Sequence, residues 1–246
     1  MNLLNQYLDN TTNRLVAAIV LTHVVVTALF AGAPSGLELY PLSSSSFKPW
    51  QVITSMFLHA DWWHLGFNIL GLWSFGRVLE RVWGGRRMLL FFLCCGAGSA
   101  LIHLGVSEFQ LSQLTAQLIA AGMTSADLAQ VTLQGLDISA GFSAVSSDDL
   151  RQLWHLSNVP AVGASGAVYG ILVAFALLFP DFKVMLVFLP IPVAARYFVP
   201  VLLLVDLTAG ITGVSIFGAN IAHFAHLGGA LIGLLLVQFW LRQSRR

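Results

Sequence analysis

Residues 221–241 read IAHFAHLGGALIGLLLVQFWL and contain no Asp, Glu, Lys or Arg in 21 positions. A helix needs about 20 apolar residues to cross the hydrocarbon core of a bilayer. Two histidines, His223 and His226, lie near the start of this run. Because ionisable groups at membrane depth are costly and usually functional, the run predicts a transmembrane helix that carries a functional group.

The rest of the chain is similarly apolar. Of its 246 residues 57% are hydrophobic and 9% are charged, and the mean hydropathy is +0.80. Soluble domains carry about 25% charged residues, so this composition excludes a soluble enzyme, a disordered chain and a coiled coil. The apolar runs are too continuous for the alternating pattern of a membrane β-barrel. A net charge of +1 without a basic cluster argues against a nucleic-acid partner.

These properties predict an all-α polytopic membrane protein, a bundle of six transmembrane helices forming one domain over residues 1–246. The expected spans lie near residues 15–33, 57–79, 88–105, 159–179, 197–213 and 221–241. The first span precedes Ala31-Gly32-Ala33, which resembles a signal-peptide cleavage site. We favour a retained span, because its removal would leave five spans and put the two ends on opposite sides.

Residues 107–158 form a long polar insertion between spans three and four. Phe109, Leu111, Leu114 and Leu118 follow a helical stripe, and Ser125 is placed to cap a second helix. We expect a pair of amphipathic helices resting on the outer surface, with substrate recognition as the alternative. Residues 184–193 are apolar but too short to cross and contain two prolines, which predicts an interfacial loop.

The distribution of basic residues predicts the orientation, because positive charge is enriched in cytoplasmic loops. With both termini cytoplasmic, the outer side keeps only Lys48 and Arg151 of the 12 basic residues. The inner side holds all the others, which are Arg14, Arg77, Arg81, Arg86, Arg87, Lys183, Arg196, Arg242, Arg245 and Arg246. We therefore expect an even number of spans and a cytoplasmic location for both ends.

Spans two, four and six all run inward and each carries polar residues close to its outer end. These residues are His64 and Asn68, Ser165, and His226. At a rise of about 1.5 Å per residue, all lie within roughly 10–17 Å of the starts of their helices. The topology thus predicts one polar site near the outer face, contributed by three helices and without a formal charge.

Ser165 lies in the sequence Gly163-Ala164-Ser165-Gly166, where the flanking glycines leave room for a peptide backbone. A serine at a helix N-terminus faces unpaired N–H groups that suit a developing oxyanion, but it needs a base to act as a nucleophile. Spacing leaves four candidate bases open, namely His59, His64, His223 and His226. His64 and Asn68 share one helix face, which suits an oxyanion clamp better than a base.

Glycine pairs on spans four and six support the same assembly. Gly166 and Gly170 on one span, and Gly229 and Gly233 on the other, allow two helices to approach closely. If the two pairs face each other, Ser165 meets His226. Tyr169 follows Ser165 by one turn and is placed to stack on the imidazole.

In combination, these motifs resemble the rhomboid family of intramembrane serine proteases, over residues from about 50 to 241. The motifs are His59-x4-His64-x3-Asn68, Glu80-x3-Gly84, Gly163-Ala164-Ser165-Gly166 with Tyr169, and Ala225-His226-x2-Gly229-x3-Gly233. The resemblance implies a bacterial six-span type in which Ser165 is the nucleophile and His226, rather than His223, is its base. It implies a dyad without a third acid, an oxyanion hole formed by His64, Asn68 and the Ser165 backbone N–H, and a structural role for Glu80 and Arg81.

Two features remain open. Where family members often carry Trp-Arg, this chain has Trp50-Gln51, which puts a loop-anchoring charge contact in doubt. Asp206 is the one acid inside span five, and its cost at membrane depth implies a partner or a wet position. It is either a supporting group of the site or a gating element. His59 is expected to be a structural hydrogen-bonder.

The expected function is an endopeptidase that cuts single-span membrane proteins near the outer face of a bacterial plasma membrane. No cofactor and no metal are expected, and the sequence does not indicate an oligomeric state. The sequence leaves three alternatives: an inactive member of the fold that binds membrane proteins, a channel or transporter, and a metal enzyme built on His59, His64, His223 and His226. Both Ser165 and His226 are present, which argues against an inactive member. Charges do not continue across the membrane, apart from Asp206, which argues against a channel or transporter. No HExxH motif occurs, which argues against a metal enzyme.

Overall fold

The computed structural model describes residues 10–30, 34–135, 142, 144–186, 189–213 and 222–243. Its elements follow one another in this order: α1 (Thr11–Phe30), α2 (Gln51–Thr54), a 3-10 turn (Ser55–Phe57), α3 (Trp62–Gly71), a π-helical segment (Leu72–Gly76), α4 (Arg77–Trp83), α5 (Gly85–Ala120), α6 (Ser125–Gln134), α7 (Ser147–Asn158), α8 (Ser165–Leu178), β1 (Lys183–Leu186), β2 (Leu189–Ala194), α9 (Ala195–Thr212) and α10 (His223–Gln243).

Several helices have the length and composition of membrane spans. Within the described residues, α1, α5, α9 and α10 are long and apolar enough to cross a membrane, and α8 is an apolar helix of 14 residues. Large apolar side chains remain exposed on these helices, including Leu29 (73%) and Ile211 (71%), so the outer surface suits lipid better than water. The expectation of an all-α polytopic membrane protein is confirmed.

The count of six spans stays a prediction. The second expected span corresponds to α3 and α4, which the π-helical segment joins with right-handed helical backbone on both sides. The first span ends at Phe30, and residues 31–33 of that prediction lie outside the described residues. The sixth span begins at His223 rather than at 221, which also lies outside them.

The fourth expected span corresponds to α8, which begins at Ser165 rather than near residue 159. Ala161 and Leu39 exchange two backbone hydrogen bonds of 2.8 and 3.0 Å, and the N–H of Gly163 donates to the carbonyl of Ser55 at 2.9 Å. Gly163 adopts φ +126°, a conformation that favours glycine. Residues 159–164 are therefore held in a non-helical connection, and Ser165 becomes the first helical residue.

The insertion differs in detail from its prediction. α5 continues to Ala120, so the stripe of Leu111, Leu114 and Leu118 belongs to the extension of span three rather than to a separate surface helix. Together with α6 and α7 it encloses a small core of its own. That core contains Leu114, Leu118, Met123, Val131, Val145, Leu150 and Leu153.

The cap of α6 is Thr124 and not Ser125. The Thr124 hydroxyl accepts from the N–H of Asp127, and the Asp127 carboxylate accepts from the N–H of Thr124 in a capping box. Ser146 and Asp149 form the same motif at the start of α7. The residue before Ser125 has the extended backbone that a cap requires, which is why the boundary lies one position earlier.

The segment predicted as an interfacial loop contains a hairpin. β1 and β2 pair in antiparallel fashion, with Lys183 opposite Ala194 and Val184 opposite Val193. Residues 187–188 lie outside the described residues. The pairing satisfies backbone N–H and C=O groups that would otherwise be exposed beside an apolar surface.

Gln51 anchors the outer loop, where the sequence left a charge contact in doubt. Its side chain is completely buried, its amide donates to the carbonyls of Gly36 and Ser46 at 3.3 and 2.9 Å, and its oxygen accepts from the N–H of Tyr40 at 3.2 Å. A neutral amide can supply both donors and an acceptor. The loop is thus held without a charge contact.

Glu80 joins the first two spans. Its carboxylate accepts from the N–H of Thr11 at 2.6 Å, and from the N–H and the hydroxyl of Thr12 at 2.8 and 2.6 Å. The first N–H groups of a helix have no partner within the helix. The acid of α4 therefore caps α1 and couples the two spans.

We expect Glu80→Gln to lower the free energy of unfolding by about 1.5–3 kcal/mol, because an amide replaces one acceptor oxygen with a donor. The measurement is reversible unfolding in detergent micelles, followed by circular dichroism. Arg81→Gln is the matched control, since it removes the charge of the neighbouring side chain, which is exposed. Equal stability of Glu80→Gln and the native chain would show that the cap contributes nothing.

Candidate active site

Ser165 lies at the N-terminus of α8, where backbone N–H groups point outward. Two features require glycine at position 163. One is its backbone conformation, and the other is the lack of room for a side chain, because a Cβ there would lie 2.7 Å from Cε1 and Nε2 of His64. The same position is 3.6 Å from the Ser165 hydroxyl oxygen. The serine hydroxyl and the His64 ring therefore border one small space beside Gly163.

His226 reaches Ser165 from the first turns of α10. Its Nε2 lies 2.8 Å from the Ser165 Oγ, although the two residues are 61 positions apart in the chain. Tyr169 stacks on the imidazole, with ring centroids 4.2 Å apart and planes inclined by 13°. The ring is thereby held in the plane that directs Nε2 at the hydroxyl.

The glycine pairs form the contact that makes this approach possible. A Cβ on Gly229 would overlap the carbonyl of Gly166, and one on Gly233 would lie 2.7 Å from Cα of Gly170. The backbones of α8 and α10 are thus in direct contact along this stripe. A side chain on Gly229 or Gly233 would therefore separate the serine helix from the histidine helix.

Ser99 is a site-supporting residue that sequence reasoning missed. Its hydroxyl donates to the carbonyl of Ala225 at 2.7 Å, next to His226. The same hydroxyl occupies the place where a Cβ on Gly166 would fall. A buried serine in the third span was the available signal, because a hydroxyl at that depth needs a partner.

His64 and Asn68 belong to α3 and to the same region of the bundle. Asp61 caps this helix by accepting from the N–H of His64 at 2.8 Å, and the N–H of Ala60 donates to His64 Nδ1 at 3.4 Å. A donated hydrogen bond at Nδ1 leaves the proton on Nε2, the nitrogen that faces Gly163. The Asn68 amide donates to the carbonyl of His64 at 2.8 Å and retains a second N–H.

His59 lies next to His64 but does not act as the hydrogen-bonder that was predicted. Its ring centroid is 5.0 Å from that of His64 and 6.2 Å from that of His23, in edge-to-face arrangements. It is buried, and neither ring nitrogen has a hydrogen-bond partner within the described part of the chain. His59 therefore contributes packing to the His64 ring.

Asp206 brings a carboxylate to a cluster that was expected to contain no formal charge. The residue lies in α9 and is 2% exposed, and its Oδ1 lies 3.2 Å from Nδ1 of His226 and 2.5 Å from Nδ1 of His223. A dyad without an acid, as the resemblance implied, is not what the structure contains. Sequence spacing could not place Asp206, because the register between two helices depends on tertiary packing.

Asp206, His223 and His226 also offer the donor atoms of a metal site, within 4.8 Å of one another. Two ligands on one tetrahedral zinc ion lie about 3.3–3.5 Å apart, because each metal–ligand bond is about 2.0–2.2 Å long. The Asp206–His223 distance of 2.5 Å is much shorter. The arrangement fits hydrogen bonds and not a metal chelate.

The fold and the site define a class: a polytopic helical membrane protein whose apolar bundle holds a hydrogen-bonded serine and histidine. A Rhomboid domain matches residues 46–243. The chain belongs to the rhomboid family.

Several relatives support this assignment. The chain is 27% identical over 184 residues to "Rhomboid protein 1, mitochondrial" of Saccharomyces cerevisiae, covering 75% of this chain and 40% of that protein. It is 27% identical over 207 residues to "Rhomboid protease AarA" of Providencia stuartii, covering 82% and 59%. A segment of 47 residues is 45% identical to "Rhomboid protease GluP" of Bacillus subtilis, covering 19% and 9%. The matched region is therefore at most 59% of each of these relatives.

Proposed function

We propose that this chain is an intramembrane serine endopeptidase that uses Ser165 as nucleophile and His226 as general base. The observation that carries the proposal is the 2.8 Å contact between Ser165 Oγ and His226 Nε2 at the start of an apolar helix. Such a pair is the minimal arrangement for activating a serine. Two relatives are named rhomboid proteases, which supports the same activity.

The reaction follows from the positions of these groups. Ser165 Oγ attacks a peptide carbonyl carbon while its proton passes to His226 Nε2, and the carbonyl oxygen becomes an oxyanion. The oxyanion is held by His64 Nε2–H, the second N–H of Asn68 and the backbone N–H of Ser165. The amine leaves with the proton from His226, and a water molecule then hydrolyses the acyl-enzyme by the same route.

The substrate is a single-span membrane protein in the surrounding lipid bilayer, cut near its outer face. A helix hides its carbonyls in its own hydrogen bonds, so the substrate must unwind where it enters the site. The absence of a side chain at Gly163 keeps the space between Ser165 and His64 open. We place the protein in a bacterial plasma membrane with both termini cytoplasmic, as one domain, with no cofactor, metal or nucleic acid taking part.

Labelling by a fluorophosphonate probe tests the nucleophile directly. The native chain in detergent micelles is expected to incorporate the probe, and Ser165→Ala is expected to incorporate none. Labelling that persists in Ser165→Ala, or a folded native chain that neither labels nor cuts a membrane substrate, would refute the proposal. The latter result would favour an inactive member of the family.

Asn68→Ala tests the oxyanion hole. We expect kcat to fall by about 10²–10³-fold, the usual effect of removing one oxyanion donor. Cleavage of a fluorogenic transmembrane peptide in micelles gives the rate, and fluorophosphonate labelling shows that Ser165 is still accessible. A rate within about threefold of the native chain would assign Asn68 to helix packing instead.

A further inference from the structure

We propose that Asp206 is a positioning residue that extends the serine–histidine pair into a Ser165–His226–Asp206 triad. The inference rests on the proposed protease function and deepens it. It differs from the dyad that the family resemblance implied, and it gives a role to the acid that sequence reasoning left open.

The geometry follows the order that such a triad requires. Asp206 Oδ1 lies 3.2 Å from His226 Nδ1, and His226 Nε2 lies 2.8 Å from Ser165 Oγ. A carboxylate only accepts hydrogen bonds, so His226 must carry its proton on Nδ1 when it binds Asp206. That tautomer leaves the lone pair on Nε2, which is the atom that removes the serine proton.

The negative charge also matters once the proton has moved. Proton transfer from Ser165 turns His226 into an imidazolium, which is costly inside an apolar bundle unless an anion lies close to it. Asp206 is 2% exposed and lies on the opposite side of the ring from Ser165. Its charge is therefore poorly screened and stabilises the cation at the moment it forms.

His223 holds this carboxylate in place. Its Nδ1 lies 2.5 Å from the same Oδ1, the shorter of the two contacts, one helical turn before His226. Burying a carboxylate costs free energy unless hydrogen-bond donors replace its lost water. His226 supplies one donor to Asp206, and His223 supplies a second. The groups around His226 are thus Asp206, His223 and the stacked Tyr169, and they leave the ring little freedom to turn.

The contacts also decide between the two roles left open for Asp206. A gating element would be expected at a mobile boundary and free to change partners. Asp206 is instead enclosed between two histidines at the contact of α9 with α10. The position suits a fixed orienting group.

The test is the steady-state kinetics of full-length Asp206→Leu, Asp206→Asn and the control Thr208→Val in micelles. Thr208 lies on α9 two residues further, and its hydroxyl donates to the carbonyl of Leu204 on the same helix at 2.8 Å. Asp206→Leu removes the acceptor, so we expect kcat to fall by about 10²–10⁴-fold with KM within about twofold, because Asp206 does not touch the substrate. Asp206→Asn removes the charge, and its amide N–H can donate to Nδ1 and favour the wrong tautomer of His226, so we expect a loss of kcat of about the same size. Thr208→Val should match the native chain.

A spectroscopic measurement covers the case in which a variant fails to fold. In the native chain with ¹⁵N-labelled histidine, we expect His226 to show a protonated Nδ1 and an unprotonated Nε2, with His226→Ala identifying its signals. The opposite tautomer would overturn the proposal, as would a folded Asp206→Leu variant with kcat within about threefold of native.

Ser165→Ala is assayed in parallel to separate the two failures. If it still cleaves the substrate, the protease assignment itself is wrong. If it is inactive while Asp206→Leu is fully active, only the role of Asp206 is wrong.

Discussion

Ser165→Ala is expected to lower the cleavage rate of a transmembrane substrate by about 10⁴-fold or more, because the proposed acyl-enzyme forms on the Ser165 hydroxyl. The Ser165 hydroxyl oxygen lies 2.8 Å from His226 Nε2. Alanine removes that oxygen and leaves the helix start otherwise unchanged. The measurement is single-turnover cleavage of a fluorogenic transmembrane segment in proteoliposomes.

Ser112→Ala is the matched control, since the hydroxyl of this serine in α5 donates to the carbonyl of Phe109 on its own helix at 2.9 Å. It should cleave at the native rate. His226→Ala should lose about as much activity as Ser165→Ala. The double variant should lose little more, because the effects of removing groups that act as a unit do not add. Substantial cleavage by Ser165→Ala would refute the assignment of Ser165 as the nucleophile.

Gly229→Ala is expected to have the largest effect on the fold. The added methyl group overlaps the carbonyl of Gly166, which is backbone and cannot turn away. α8 and α10 must then separate, at a cost of about 1–3 kcal/mol or more. A separation of about 1 Å also costs about 10²-fold in rate, so we expect both a lower thermal midpoint and loss of activity.

Gly105→Ala in α5 separates this effect from the general effect of adding a methyl group. No atom lies within 4 Å of a Cβ at Gly105. Alanine favours helix over glycine by about 1 kcal/mol, so this variant should be as stable as the native chain or slightly more stable. Thermal melts by circular dichroism in one detergent compare the two. A Gly229→Ala protein with native stability and activity would show that the glycine contact is not needed.

The features that depend on local pattern were predictable. The runs in α1, α5, α9 and α10 contain few charges, and bilayer thickness converts such runs into helices without reference to neighbours. The spacing of Ser165 and Tyr169 places both on one helix face wherever that helix packs. Glycines four residues apart mark a surface on which another helix can approach closely, although the spacing does not name the partner.

Other features could not be predicted from the sequence, because they depend on contacts between distant segments. The start of α8 at Ser165 depends on hydrogen bonds that Leu39 and Ser55 make to residues 161 and 163. The role of Glu80 depends on the two threonines of α1, and that of Ser99 on the carbonyl of Ala225. None of these partners can be found by periodicity, because each lies more than 60 positions away or in another element.

The sequence by itself determined that this is a helical membrane protein and which few polar residues its spans carry, because the cost of placing polar groups in hydrocarbon acts on each residue separately. Only the tertiary structure decided which polar groups meet. Whether His223 or His226 lies against Ser165, and whether Asp206 is a gate or a support, depends on the rotation and register of packed helices. Those are set by the close approach of backbone at Gly166 and Gly229, a contact between surfaces that no single segment specifies.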